Sequence, residues 1–144
     1  MSYIQTVPFT SIPQSNVAIL LAPFAAAPAN TLTLSAADSG KVIYIPAATV
    51  AGTLNLPAVQ NGLRYKLVMT ATAGFVITVT AAVNMIGPLL VTNTGAANAV
   101  TTIIKAATTF SITATAVAGD TVDLVCNGSL WYINGISQAI AGFA

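Results

Sequence analysis

The sequence has no histidine and no glutamate, and its 144 residues include one cysteine, one tryptophan, four basic and three acidic side chains. Each shortage excludes a class of chemistry. Without histidine or glutamate, general acid and base work falls to Asp38, Asp120 and Asp123 alone. Asp38 sits in the turn signal Asp38-Ser39-Gly40, where an aspartate accepts local backbone hydrogen bonds. Asp120 and Asp123 lie three apart on an expected strand, so they face opposite sides and make a poor catalytic pair. Serines and threonines are plentiful but have no histidine or glutamate to activate them, which leaves only a lysine for that task, and no glycine-rich phosphate loop precedes a helix. The chain is read as a non-enzyme that needs no cofactor. The lone Cys126 excludes an internal disulfide and a cysteine zinc site, and is expected to be a buried, inert thiol. A metal enters only as a hard cation on aspartates pooled between subunits, and no clustered acidic loop supports one.

The basic residues are Lys41, Arg64, Lys66 and Lys105, and a net charge of +1 leaves no footprint for nucleic acid. The most apolar run, residues 17–29, is shorter than the roughly 20 residues of a membrane-spanning helix, and Pro23 and Pro28 interrupt it. It also lacks the basic start of a secretory signal, because no lysine or arginine precedes Lys41.

What is present is apolar: the hydrophobic fraction is 56% and the mean hydropathy +0.84. A folded chain of this mass exposes roughly 6,900 Å², about one charge per 1,000 Å² and about a fifth of the ordinary density. Such a surface implies a permanent assembly in which apolar area is covered by a partner. The length itself fits one domain.

Pro8, Pro13, Pro23 and Pro28 fall in the first 28 residues and favour an extended arm over residues 1–30. Ile19, Leu20, Leu21 and Phe24 are its candidate partner contacts, suited to lying across a neighbouring subunit. From Thr31 the period is two, the mark of half-buried strands, and short runs alternate with turn residues up to residue 137. The expectation is an all-β, antiparallel domain of about nine to ten strands over residues 31–137, followed by an apolar tail, 138–144. Gly87-Pro88 is read as an edge or bulge, and Asn134-Gly135 as a turn. Asn127-Gly128 between alternating runs is the clearest hairpin signal. Residues 71–81 and 106–116 echo each other, either as equivalent strands of two sheets or because the residue alphabet is narrow.

Core candidates are Leu54, Leu56, Tyr65, Leu67, Phe75, Ile77, Phe110, Ile112, Leu124 and Trp131. Arg64 and Lys66 project from one strand face, either to dock on an acidic partner or to guard an edge strand against unwanted pairing. Trp131 and Tyr132 point to opposite faces, so one of them is core and the other is placed to meet a subunit or a sugar.

The run Ser35-Ala-Ala-Asp-Ser-Gly-Lys41, then Leu54-Asn-Leu-Pro57, Gly62-Leu-Arg-Tyr-Lys66, Gly119-Asp-Thr-Val-Asp-Leu-Val125 and Trp131-Tyr132, resembles the β-rich virion proteins of tailed bacteriophages and related viruses. These include capsid decoration or cement proteins and fibre-type modules. The resemblance spans residues 31–136 and rests on turns and strands rather than on a catalytic signature. It implies a jelly-roll-like sandwich or small barrel, a homotrimer, and attachment to the viral major capsid protein on the virion surface after synthesis in the host cytoplasm. The alternatives are a host-recognition module binding surface glycans and a membrane-inserting hairpin protein. Strands of about five to seven residues would be too short for the latter.

Overall fold

Short proline-led linkers at Pro46 and Pro57, rather than hairpin turns, follow the early apolar runs, and this decides the topology. In the computed structural model, which describes residues 19–20, 31–48, 50–92, 100–138 and 142–144, the strands are β1 (Ile19–Leu20), β2 (Thr31–Thr33), β3 (Val42–Ile45), β4 (Gly52–Asn55), β5 (Asn61–Met69), β6 (Ile77–Thr92), β7 (Val100–Ile112), β8 (Thr121–Asn127) and β9 (Trp131–Ser137). They join in one curled, mixed sheet that forms a half-barrel, in the order β1-β3-β5-β8-β9-β6-β4-β2 with β7 also paired to β6. Pro46 and Pro57 end β3 and β4 and send the chain across to the other limb of the curl instead of back alongside itself. Each limb therefore receives every second strand in the same direction. β1, β3 and β5 are parallel in one limb; β2, β4 and the first half of β6 are parallel in the other.

The result is three stacked coils of a short solenoid. Ile19, Ile43 and Leu67 are in register, as are Thr31, Thr53 and Thr78. Leu32, Leu54 and Val79 stack on the inner side, with Leu54 and Val79 fully buried. On the outer side the Asn55 amide donates to Thr33 Oγ1 at 3.2 Å, while its oxygen accepts from Thr80 Oγ1 at 2.5 Å. One side chain thus links all three coils.

Antiparallel pairing closes the third coil. β8 pairs with β5 and with β9 through the expected hairpin, in which Asn127 Oδ1 accepts from the Ser129 and Leu130 amides at 3.0 and 2.9 Å and Gly128 takes φ +92°. β6 bends at a register shift between Thr80 and Met85, which carries its first half along β4 and its second half along β9. The C-terminal residues join the same core: Ser111 and Ala144 exchange backbone hydrogen bonds of 2.8 and 3.0 Å, and Phe143 is buried. Buried Asp120 accepts from Ser137 Oγ at 2.6 Å, from the Gln138 amide at 2.8 Å and from the Val117 amide at 3.0 Å. These bonds tie the start of β8 to the end of β9.

Several expectations are corrected. The sheet is mixed rather than antiparallel, because period-two alternation reports which face is buried and not which way the strand runs. Two pairs of the expected runs merge: 75–80 and 85–91 are joined by β6, and 100–105 and 110–114 by β7. Gly87-Pro88 is not at an edge; it lies between β7 and β9, and a Cβ on Gly87 would collide with the Ile133 carbonyl oxygen. Asn134-Gly135 is no turn but the middle of β9, where Gly135 leaves room for Leu89 and Phe143. Phe75 is exposed because the chain bends at Gly74, φ +74°, before the strand starts. The other nine core candidates are buried. The echoing segments are direct partners, with Ile77 opposite Ile112 and Val79 opposite Phe110.

Gly87→Ala should cost at least about 3 kcal/mol, since backbone at φ +148° and a backbone oxygen must both yield. Thermal unfolding followed by the fluorescence of Trp131, which is fully buried, measures it.

Candidate interaction face

The alternation of β5 sends Tyr65, Leu67 and Met69 into the core and Arg64 and Lys66 to the outside, as their sequence pattern requires. The same rule applied to β8 and β9 turns Leu124 and Trp131 inward and Val125 and Tyr132 outward. The pairing registers then arrange the outer face in rows. Arg64, Val125, Tyr132 and Ile86 form the first. Lys66, Asp123 and Asn134 form the second, and Val68, Thr121, Ile136 and Leu90 the third. A charged row therefore runs between two mainly apolar ones. Val125, Tyr132 and Ile136 are 37%, 47% and 48% exposed and lie on one face, and it is such grouping of exposed apolar side chains that marks a contact surface.

An open depression of about 400 Å³ indents this face where β3, β5 and β8 adjoin. Its rim carries Lys41, Arg64, Lys66 and Asp123, and Val42 and Val125 supply apolar wall. Lys66 and Asp123 form a loose pair at 3.6 Å, each about half exposed, of the kind that contributes little to stability. Among the described residues Arg64 has no ion-pair partner.

The turn after β2 holds the rim in place. Asp38 accepts from the Ser35 hydroxyl at 2.7 Å, from the Ser35 amide at 2.9 Å and from Lys41 Nζ at 2.9 Å. The Ser35 hydroxyl, then Lys41, favour the charged carboxylate and lower its pKa from 3.8 to about 2. Below it, Tyr65 Oη donates to the Ser35 carbonyl at 2.7 Å, and burial followed by the nearby Asp38 charge pushes the phenol up to about 12. Asp38 thus has the structural role expected for a turn aspartate.

Of the residues singled out from sequence, Arg64 and Lys66 meet at the depression. Ile19 and Leu20 form β1 beside β3 of their own chain, and Leu21 and Phe24 lie outside the described residues. Trp131 is core and packs on Tyr65 with ring centroids 5.8 Å apart; Tyr132 is exposed, and its hydroxyl accepts from the Asn127 amide at 3.3 Å. Ile136 lies past Asn134-Gly135, which reads from sequence as a turn; the alternation running on through Asn134, Gly135 and Ile136 is the signal that finds it. Asp38, Asp120 and Asp123 occupy a surface turn, the core and the outer face, and among the described residues no three His, Cys, Asp or Glu side chains gather as a metal site needs. Comparison with protein-family models and with curated proteins gives no match.

Because folding lowers the Asp38 pKa, its contribution to stability is complete above the ordinary carboxylate value of 3.8 and is lost as the pH falls toward about 2. Acid titration of the unfolding free energy should show that loss, and Asp38→Asn should flatten the curve over this window. An unchanged curve would remove Asp38 as the group responsible.

Proposed function

We propose that this chain is a virion structural protein, a capsid decoration or cement module that stabilises the shell through apolar subunit contacts. The observation that carries the reading is the outer surface: few charges, and Val125, Tyr132 and Ile136 displayed on the outer sheet face with Phe75 and Val76 exposed elsewhere. An ordered β scaffold with apolar area to cover suits a permanent assembly better than solitary binding. In this reading the curled sheet takes the place that the resemblance gives to a jelly-roll-like module. Three copies associate, residues 1–30 act as the arm, and the major capsid protein is the partner.

A second reading is a fibre or host-recognition module that binds surface glycans. Exposed Tyr132 beside the Asn127 amide favours it, because an aromatic ring next to a polar group suits a sugar. A membrane-inserting reading is opposed by polarity. β5, β6 and β7 are longer than expected at 9, 16 and 13 residues, so strand length no longer argues against it. However, the concave side is apolar and the outside of β5 carries Arg64 and Lys66, the reverse of a transmembrane barrel.

Mass spectrometry of virus particles purified from a culture that expresses the chain should find it in fixed ratio to the major capsid protein. A version lacking residues 1–18, which keeps β1, should fold and yet be lost from the particles. Particles without the chain, together with specific binding on a glycan array, would transfer the assignment to the second reading.

A further inference from the structure

We infer that the outer face of β5, β8 and β9 is where copies of this chain bind each other, with Tyr132 of one copy seated in the depression beside Arg64 of the next. The inference rests on the association part of the proposed function and is independent of its virion part.

Three observations meet on this face. The first is shape: it carries both a projection, the half-exposed Tyr132 ring, and an open hollow of about 400 Å³ that begins on the neighbouring strand at Val125 and extends over β5 to β3. The apolar wall of the hollow accepts a ring, and the Arg64 guanidinium at its rim is placed for a cation–π contact. The second is charge. Of the three aspartates, Asp38 is held by Ser35 and Lys41, and Asp120 is buried in hydrogen bonds. Asp123 alone lies half exposed in a loose pair, and Arg64 beside it has no ion-pair partner among the described residues. An acidic partner would set its carboxylates against Asp123, and a basic one would meet Arg64 and Lys66. A second copy brings Asp123 as well as Arg64 and Lys66, so that Arg64 of one faces Asp123 of the next. The third is composition: Val125 and Ile136 flank the charged row, giving the apolar surround that keeps water from such a pair. With projection and hollow on one face, copies that turn this face toward a common symmetry axis make the contact in a closed assembly, as the proposed association of three copies requires.

The test is the native mass by size-exclusion chromatography with light scattering, with buried Trp131 reporting that each variant is folded. The unaltered protein should elute as a multiple of 14.5 kDa. Ile136→Glu and Tyr132→Ala, both at exposed positions, should weaken association at least about tenfold and yield folded monomer at low concentration. Arg64→Asp and Asp123→Arg should each weaken it, and the double exchange should restore it, which loss of a purely structural role would not do. An oligomer indifferent to all four changes would overturn this surface while leaving association standing. A monomeric unaltered protein would overturn both.

Discussion

The fold depends on each strand of the first three coils finding its hydrogen-bonding partner one coil away rather than in the next strand along the chain. A single coil is too thin to bury its own apolar side chains. Stacking three of them places Leu32, Leu54 and Val79 in one column and Ile43 and Leu67 in another, so the core exists only once the coils are in register. Asn55 guards that register, because its amide and its carbonyl bond different coils and a slip by one residue would turn it into the core. The bent β6 transmits the arrangement to the antiparallel half, since the same strand pairs with β4, β7 and β9.

This arrangement also produces the interaction face. With the concave side filled, everything the sheet cannot bury appears on the convex side, and a chain with so few charges has little polar material to cover it. Among the described side chains charge is divided by role. Asp120 joins β8 to β9 from inside, Asp38 and Lys41 hold the turn at the rim, and Arg64, Lys66 and Asp123 are left facing outward. Inner order and outer stickiness have the same origin in the composition.

The faces of the strands were legible in the sequence, and so were the Asn127-Gly128 hairpin, the Asp38 turn and the outward placing of Arg64 and Lys66. All are local: alternation and turn chemistry act over a few residues. Strand direction was not legible, because it is set by where Pro46 and Pro57 send the chain. Phe75 continues the alternation of Ile77 and Val79 yet lies outside, since the bend at Gly74 precedes it. Gly135 was misread because a glycine after asparagine signals a turn unless a neighbour, here Leu89, needs its space. The repeat itself was visible in Thr31-Leu-Thr-Leu34 and Thr53-Leu-Asn-Leu56, spaced 22 residues apart and aligned in the structure. The 71–81 and 106–116 echo has a different spacing and belongs to the antiparallel pair β6 and β7.

The central claim is that coils and antiparallel half form one cooperative unit through β6. Native-state amide hydrogen exchange, resolved by residue, tests this most directly. The account predicts that the amides of Leu54 and Val79 open together with those of Leu67, Leu124 and Ile133, at one common free energy. Exchange of β2 and β4 at a much lower free energy than β5, β8 and β9 would contradict it and make the coils an appendage to an independent antiparallel core.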